Sequence, residues 1–348
     1  MSPVSPTTSF TVRFRPLGPW RFGPDSGARD RVDLIYHSDA VFSAVCSAMR
    51  QLGMAEEWLL ATAQSEATPA VRISSFYPFQ GKSLLVVPPR NIWPPADSTK
   101  VRYKGARFVP LSVVESLLAD KAMDENRWAV DGESQCLIQH DAGRGPFRVA
   151  IRSSAGVDRL EIGKVESHST ACLEFARDAG LWTVVQFADE SAAGRWQGHV
   201  RSAFMLLADS GFGGERSRGW GRSETPEWSP WNSFVSKPLP DGRGSEGDLP
   251  DPADRAYWLL SLYLPGAVDA VDWKRGSYST ITRRGRIESG ARWGEPKNAT
   301  LMVSEGSVLV AGGELNGAAH NIAPEGFPHP VYRAGFAVAV PIPWRVAA

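Results

Sequence analysis

An α+β fold in two units is the class this sequence predicts, and three observations predict it. The chain has 348 residues, long for one ordinary domain and suited to two. With 43% hydrophobic and 22% charged residues and thirteen Trp, it can build a packed core. Period-2 and period-3.6 apolar runs follow one another in the first two thirds, and a Pro/Gly-rich acidic stretch divides them from a strand-rich remainder.

The elements follow in order. Phe10, Val12 and Phe14 alternate with Thr11, Arg13 and Arg15, which predicts a strand over 8–15, broken by LGPWRFGPDSG. Ser38 or Asp39 can cap a helix on which Val41, Val45, Met49 and Leu52 share a face beside Phe42 and Cys46, with Gly53 as its stop. An acidic, Ala-rich helical piece spans 56–67, and VRISSFYPFQG and SLLVVPP read as strands. Residues 88–150 are less regular; Pro88–Pro110 mixes prolines, basic residues and aromatics and reads as a projecting hairpin or inserted lobe. TACLEFARDAGLWTVVQFAD reads as two strands around Asp178–Gly180. A helix over 192–208 carries Val200, Phe204 and Leu207 on one face, and GFGGERSRGWGR follows it. This order is a ferredoxin-like (RRM-like) βαββαβ plan with additions.

Residues 237–254 hold five acids against Lys237 and Arg243 and no apolar period, as a linker between units 1–236 and 255–348 would. In the second unit AYWLLSLYLP, ATLMVSEGSVLV and YRAGFAVAVPIP read as strands, giving a degenerate second ferredoxin-like domain.

Several chemistries are disfavoured. The three cysteines, Cys46, Cys136 and Cys172, are far apart and form no CxxC, so neither a disulfide framework nor a zinc ribbon is expected. Gly81-Lys82-Ser83 lacks the earlier glycine of a phosphate-binding loop, where Phe76 stands, and GxSxG and HExxH are absent. The glycine cluster follows a helix and precedes a strand, the reverse of a dinucleotide fingerprint. No cofactor or metal is expected. The start MSPVSPTTSF lacks the pattern of a signal peptide, and no run approaches the roughly 18 apolar residues of a membrane span, so a soluble, cytoplasmic protein without membrane contact is expected.

The formal net charge is zero, so the distribution of charge matters more than its sum. Gly211, Gly213, Gly214, Gly219 and Gly221 allow close backbone approach, Arg216, Arg218 and Arg222 supply bidentate donors, and Trp220 or Phe212 can stack on a base. With Ser217 they form a phosphate-binding candidate; a flexible surface hairpin is the plain alternative. Lys82–Arg107 holds six Lys/Arg against one acid, and Lys274–Lys297 seven against two, including Arg283, Arg284 and Arg286. Basic residues interleaved with aromatics suit single-stranded RNA. His37, at the start of the first helix, can contact phosphate, act as a general base in metal-independent RNA cleavage, or simply pack.

HSDAVFSAVC (His37–Cys46), SSFYPFQG (Ser74–Gly81) and the glycine loop resemble the RAMP subunits of CRISPR effector complexes. RRGRIESG, MVSEGSVL and HPVYRAGFAVAVPIP narrow the resemblance to the fourth-subunit family of type III-A (Csm) complexes, across nearly the whole chain. The resemblance implies a non-catalytic subunit that holds the repeat-derived 5′ tag of the crRNA. It implies contacts with the large polymerase/cyclase-like subunit and a backbone RAMP subunit, and with target RNA only indirectly. It implies that the loop glycines approach the tag, that Arg216 and Arg218 bind its phosphates, and that His37, Ser38 and Asp39 sit near it. A β-hairpin thumb is implied too; the candidate segment carries Arg90, Trp93, Lys100, Arg102, Lys104 and Arg107. Ala40-Val41 stands where the family often has Thr-Leu. An endoribonuclease processing precursor crRNA with His37 as base, and a protein scaffold that touches no RNA, remain the competing readings.

Overall fold

A computed structural model describes residues 8–24, 26–66, 68–95, 100–157, 165–231, 255–289, 291–292 and 294–344. The fold is α+β with antiparallel sheets. The first part opens with β1 (Ser9–Phe14), α1 (Ser38–Gln51), α2 (Ala55–Ala61), β2 (Val71–Ile73), β3 (Tyr77–Gln80) and β4 (Ser83–Val86). Then come α3 (Lys100–Tyr103), β5 (Val109–Pro110), α4 (Leu111–Leu118), β6 (Trp128–Asp131), β7 (Cys136–Gln139), β8 (Phe147–Val157) and β9 (Val165–Phe175). β10 (Ala179–Phe187), α5 (Glu190–Ser210) and β11 (Glu227–Pro230) complete it.

The main sheet runs β11-β1-β10-β3-β4-β5, with β2 also on β10. β1 lies between β10 and β11 because its alternating Val12 and Phe14 are wholly buried, as are Val184 and Leu181 of β10. α1 and α5 cover this sheet. α5 presents Trp196, Val200, Ala203, Phe204 and Leu207 at helical spacing; Asp189 caps it by accepting from the Ala192 N–H at 2.7 Å, and Gly211 at φ +81° ends it.

The second part holds β12 (Arg255–Leu259), β13 (Val271–Ser277), β14 (Thr280–Arg283), β15 (Thr300–Val303), β16 (Val308–Ala311), β17 (Gly317–Asn321), β18 (Tyr332–Phe336) and β19 (Ala339–Pro343). Its four-stranded sheet has the order β13-β16-β12-β19. Strands β14–β15 and β17–β18 pair as separate hairpins, and among the described residues of this part there is no α-helix. The two parts share one core. Trp258, Val310, Phe336 and Ile342 pack in the same buried cluster as Phe42 and Trp182, and the rings of Phe42 and Phe336 meet edge-on at 5.4 Å.

Edge strands carry proline: Pro230 in β11, Pro110 in β5, and Pro341 and Pro343 in β19. The remaining end of the two larger sheets, β13, is interrupted by a bulge between Asp272 and Gly276.

Two sequence expectations change. Among the described residues of 88–110 there is no projecting hairpin; they make the short α3 and the edge strand β5, as the alternative reading of an inserted lobe would have it, with the Trp93 and Tyr103 rings 6.0 Å apart. The long hairpin is β8–β9, whose residues 148–156 are exposed or only half-buried. The N-cap position of α1 is His37 rather than Ser38 or Asp39, and its side chain makes no cap bond; in the first turn Ser75 Oγ accepts the Ser38 N–H at 2.9 Å and Asp39 Oδ1 accepts the Ala40 N–H at 2.8 Å. The expected linker at 237–254 lies outside the described residues.

Candidate nucleic-acid interface

Segments quoted from distant parts of the sequence meet at the start of α1. His37, Ser38 and Asp39 are 3%, 5% and 7% exposed, and each reaches into the second part of the chain. His37 Nδ1 lies 2.7 Å from Glu305 Oε1, and its Nε2 lies 3.1 Å from Asp33 Oδ2. Ser38 Oγ accepts the Leu262 N–H at 3.0 Å. Asp39 takes two bonds from Arg283, both 3.2 Å, and a third from Arg333. Ser75 donates to Glu305 as well, and its Oγ accepts the Ser38 N–H at 2.9 Å.

The charges in this network support one another. Burial pushes His37 down, but Glu305 and Asp33 outweigh it and raise its pKa to about 9, so the ring is an imidazolium at neutral pH. Burial pushes the Asp39 carboxyl up, and Arg283 and Arg333 outweigh that, holding it below the usual carboxylate range. Glu305 is lowered in the same manner, against its burial, by His37. These are buried pairs joining two parts of the chain, where removal of one partner strands the other.

Above Asp39 opens a cleft of about 510 Å³ between α1 and the glycine-rich loop on one side and residues 283–289 and 329–333 on the other. Its walls carry Arg50, Arg216, Arg284, Arg286 and Lys297 over a floor of Asp39, Arg283 and Arg333; Glu288 is the other acid that lines it. Burial lowers the Lys297 ammonium, and Arg333 beside it lowers it further. The cleft is therefore short of negative charge, and an anion entering it would relieve that imbalance.

The loop itself divides by role. Gly211, Gly213 and Gly221 all have positive φ, and a Cβ on each would meet backbone oxygen at 2.5 Å, 2.5 Å and 2.1 Å: those of Trp220, Arg21 and Phe212. A Cβ on Gly214 would lie 3.2 Å from the Arg21 side chain, and the Gly214 N–H donates to the Arg21 carbonyl at 2.8 Å. Gly211 and Gly221 let the two ends of the loop close on each other, and Gly213 and Gly214 let it close on Arg21. Gly219, at φ +77° with open space around it, is free to approach a ligand. Phe212 is buried among Phe14, Trp20, Tyr36 and Phe76, so it cannot stack on a base, while Trp220 is half-buried. Arg216, Ser217, Arg218 and Arg222 are exposed, the first three in a 3₁₀ turn. Arg216 pairs with Glu288 at 2.8 Å, Arg218 with Glu215 at 3.2 Å, and Arg222 with Asp209 at 3.4 Å.

Of the sequence-selected residues, Asp39, Gly213, Arg216, Arg283, Arg284 and Arg286 line the cleft together; Arg284 and Arg286 are exposed, Arg283 is buried. His37 and Ser38 lie beneath it in the interior. The presumed thumb residues do not join it. Arg90, Arg102 and Lys104 are exposed elsewhere, Arg102 is 3.8 Å from Glu125, and Arg107 is 3.5 Å from Asp33. Arg50, Lys297 and Arg333 were not singled out. Arg333 stood within the HPVYR segment and Lys297 closed a basic stretch, whereas nothing in the sequence marks Arg50. Arg21 was missed too: it is buried and gives four bonds to the carbonyls of Ala28, Arg29, Arg31 and Ala171, at 2.7–3.1 Å, fastening β9 beneath the loop.

Among the described residues no helix is long and apolar enough to cross a membrane, and no group of His, Cys, Asp and Glu could hold a metal ion. Residues 253–342 match the family described as CRISPR Csm4 C-terminal domain. No curated protein shows a significant match. Among solved structures, the fold resembles a chain of a Csm3–Csm4 subcomplex of the type III-A CRISPR-Cas interference complex, with TM-score 0.62 and 15% identity over 97% of this chain and 99% of that one. It also resembles a chain of a Csm1–Csm4 cassette in complex with cA4, with TM-score 0.57 and 16% identity over 98% and 99%. At these identities the likeness is one of fold.

Proposed function

We propose that this chain, whose residues 253–342 match the CRISPR Csm4 C-terminal domain and whose fold resembles chains of Csm3–Csm4 and Csm1–Csm4 assemblies, is a non-catalytic RNA-binding subunit of a type III-A CRISPR effector complex. It holds the 5′ repeat-derived tag of the crRNA and bridges the large subunit to a backbone RAMP subunit. The pairing of such chains with Csm1 and Csm3 in the similar structures supports the two protein partners. We read each part as a ferredoxin-like domain, divided within 237–254. The first sheet places its β-α-β-β-α-β strands in the order β11-β1-β10-β3, and β13-β16-β12-β19 repeats that order with hairpin or loop in place of helix.

The observation that carries the RNA reading is the cationic cleft. Arg284, Arg286, Lys297 and the loop arginine Arg216 face one opening, with a single rim carboxylate opposing them. Arginine forks bind phosphate oxygens bidentately, and a wall of them follows a sugar-phosphate backbone without reading bases. The surface pairs that now engage Arg216 and Arg218 are worth at most about 1 kcal/mol each and can yield to a polyanion. His37 supports a binding role over a catalytic one: both ring nitrogens are engaged by carboxylates and the ring is buried, so it offers no free lone pair to a ribose hydroxyl.

The test compares RNA carrying a repeat-derived 5′ tag with a scrambled RNA of equal length, in gel-shift and denaturing gels. Tighter binding of intact tagged RNA is expected. Arg216→Ala with Arg218→Ala is expected to weaken binding without unfolding and to flatten the salt dependence by about 1.4 in log–log slope, two single-strand phosphate contacts. Shortened RNA would move the assignment to an endoribonuclease, and unchanged binding by the double variant would remove the loop from the interface.

A further inference from the structure

The cleft contains two carboxylates in very different situations. Asp39 lies on its floor, 5% exposed at the side chain, and is saturated by Arg283 and Arg333. Glu288 stands at the rim, 60% exposed, with Oε1 2.8 Å from Nη2 of Arg216, itself 41% exposed. The floor pairs cannot open without stranding buried charge. The rim pair can, because water receives both partners.

We propose that Glu288 is a built-in competitor for the RNA backbone: its carboxylate occupies the Arg216 guanidinium in the empty protein and latches the mouth of the cleft until phosphate displaces it. This rests on the reading of the cleft as the RNA site. Three features carry it. The pair runs from the glycine-rich loop in the first part of the chain to the segment after β14 in the second, so it crosses the opening. A carboxylate and a phosphate present oxygens of similar geometry to one arginine fork, so the two exclude each other there. And Glu288 stands among Arg284, Arg286 and Lys297, where any other negative group would gain from the same field. When RNA enters, Arg216 exchanges partners and Glu288 swings to solvent; no covalent step is involved.

The consequence is an affinity held below what the cations alone would give. Glu288→Gln keeps size and removes the charge. Fluorescence anisotropy of the full chain with a labelled short single-stranded RNA, at fixed moderate salt, is the measurement, run on wild type, Glu288→Gln, Arg216→Ala and the double variant. Glu288→Gln is expected to bind about three- to fivefold tighter, the range of an exposed ion pair. That gain is expected to vanish in the Arg216→Ala background. Equal or weaker binding by Glu288→Gln, with Arg216→Ala still weakening binding, overturns the latch and leaves the RNA site standing. A gain that survives Arg216→Ala also overturns it, since the acid would then act on the RNA directly. If Arg216→Ala binds as wild type does, the RNA site is misplaced and the latch falls with it. Thermal melts of the four proteins check that each is folded.

Discussion

Replacing Asp39 with Asn tests the junction on which the cleft is built. The side chain keeps its shape and one acceptor oxygen but loses its charge. Two guanidiniums, Arg283 at 9% and Arg333 at 5% side-chain exposure, then lose the carboxylate charge they share. The Asp39 carboxylate takes two bonds from Arg283 at 3.2 Å and one from Arg333, and Lys297 adds a third cation nearby. Removing one partner of a buried pair costs about 3–5 kcal/mol, a large share of a typical stability of about 5–15 kcal/mol. Urea unfolding followed by Trp fluorescence is the assay, since guanidinium salts would screen the effect. A fall of about 3 kcal/mol or more is expected, with partial recovery when Arg333→Met is added. A loss below about 1 kcal/mol would refute the claim that this carboxylate holds the two parts together.

Two further outcomes follow from the same geometry. His37 has a folded pKa raised from 6.5 to about 9, so its contribution to stability is fully present below about pH 6.5 and is lost as pH rises through about 9; His37→Gln is expected to remove that dependence, read from urea midpoints at pH 6, 8 and 9.5. Gly221→Ala forces a Cβ to 2.1 Å from the Phe212 carbonyl at φ +80°, and a loss of about 3 kcal/mol or failure to fold is expected; Gly219→Ala, at φ +77° with open space, should lose only about 1 kcal/mol in the same thermal melts.

The first half of the fold was legible because its binary pattern is clean. Phe10, Val12 and Phe14 alternate, and Val200, Phe204 and Leu207 step by helical turns, and both sets end in the core. The hairpin was misplaced for the opposite reason. After Val149 and Ile151, β8 continues Arg-Ser-Ser-Ala-Gly with both faces toward solvent, so no period announces a strand, while the aromatic and basic content of 88–110 imitated one. The site was legible as a set of charges but not as a set of pairings. Arg216 was visible in its loop; Glu288, 72 residues later, was not visible as its partner. His37, Ser38 and Asp39 read as RNA-facing, yet His37 and Ser38 lie in the interior and Asp39 forms the cleft floor, because a polar triplet before an apolar helix reads the same whether it meets solvent, ligand or another part of the chain.

The prolines in β5, β11 and β19 bear on how neighbours can be recognised. A bare sheet edge accepts almost any extended chain, since main-chain hydrogen bonding is indifferent to sequence. Here that generic valence is interrupted at three ends of the two larger sheets, and a bulge disturbs the fourth. The two-stranded pairs, β8–β9 the longest of them, carry no such guard at 147–157 or 165–175. On the larger sheets attachment thus becomes a matter of vocabulary rather than of grammar; an added strand finds its sentence to continue on the hairpins.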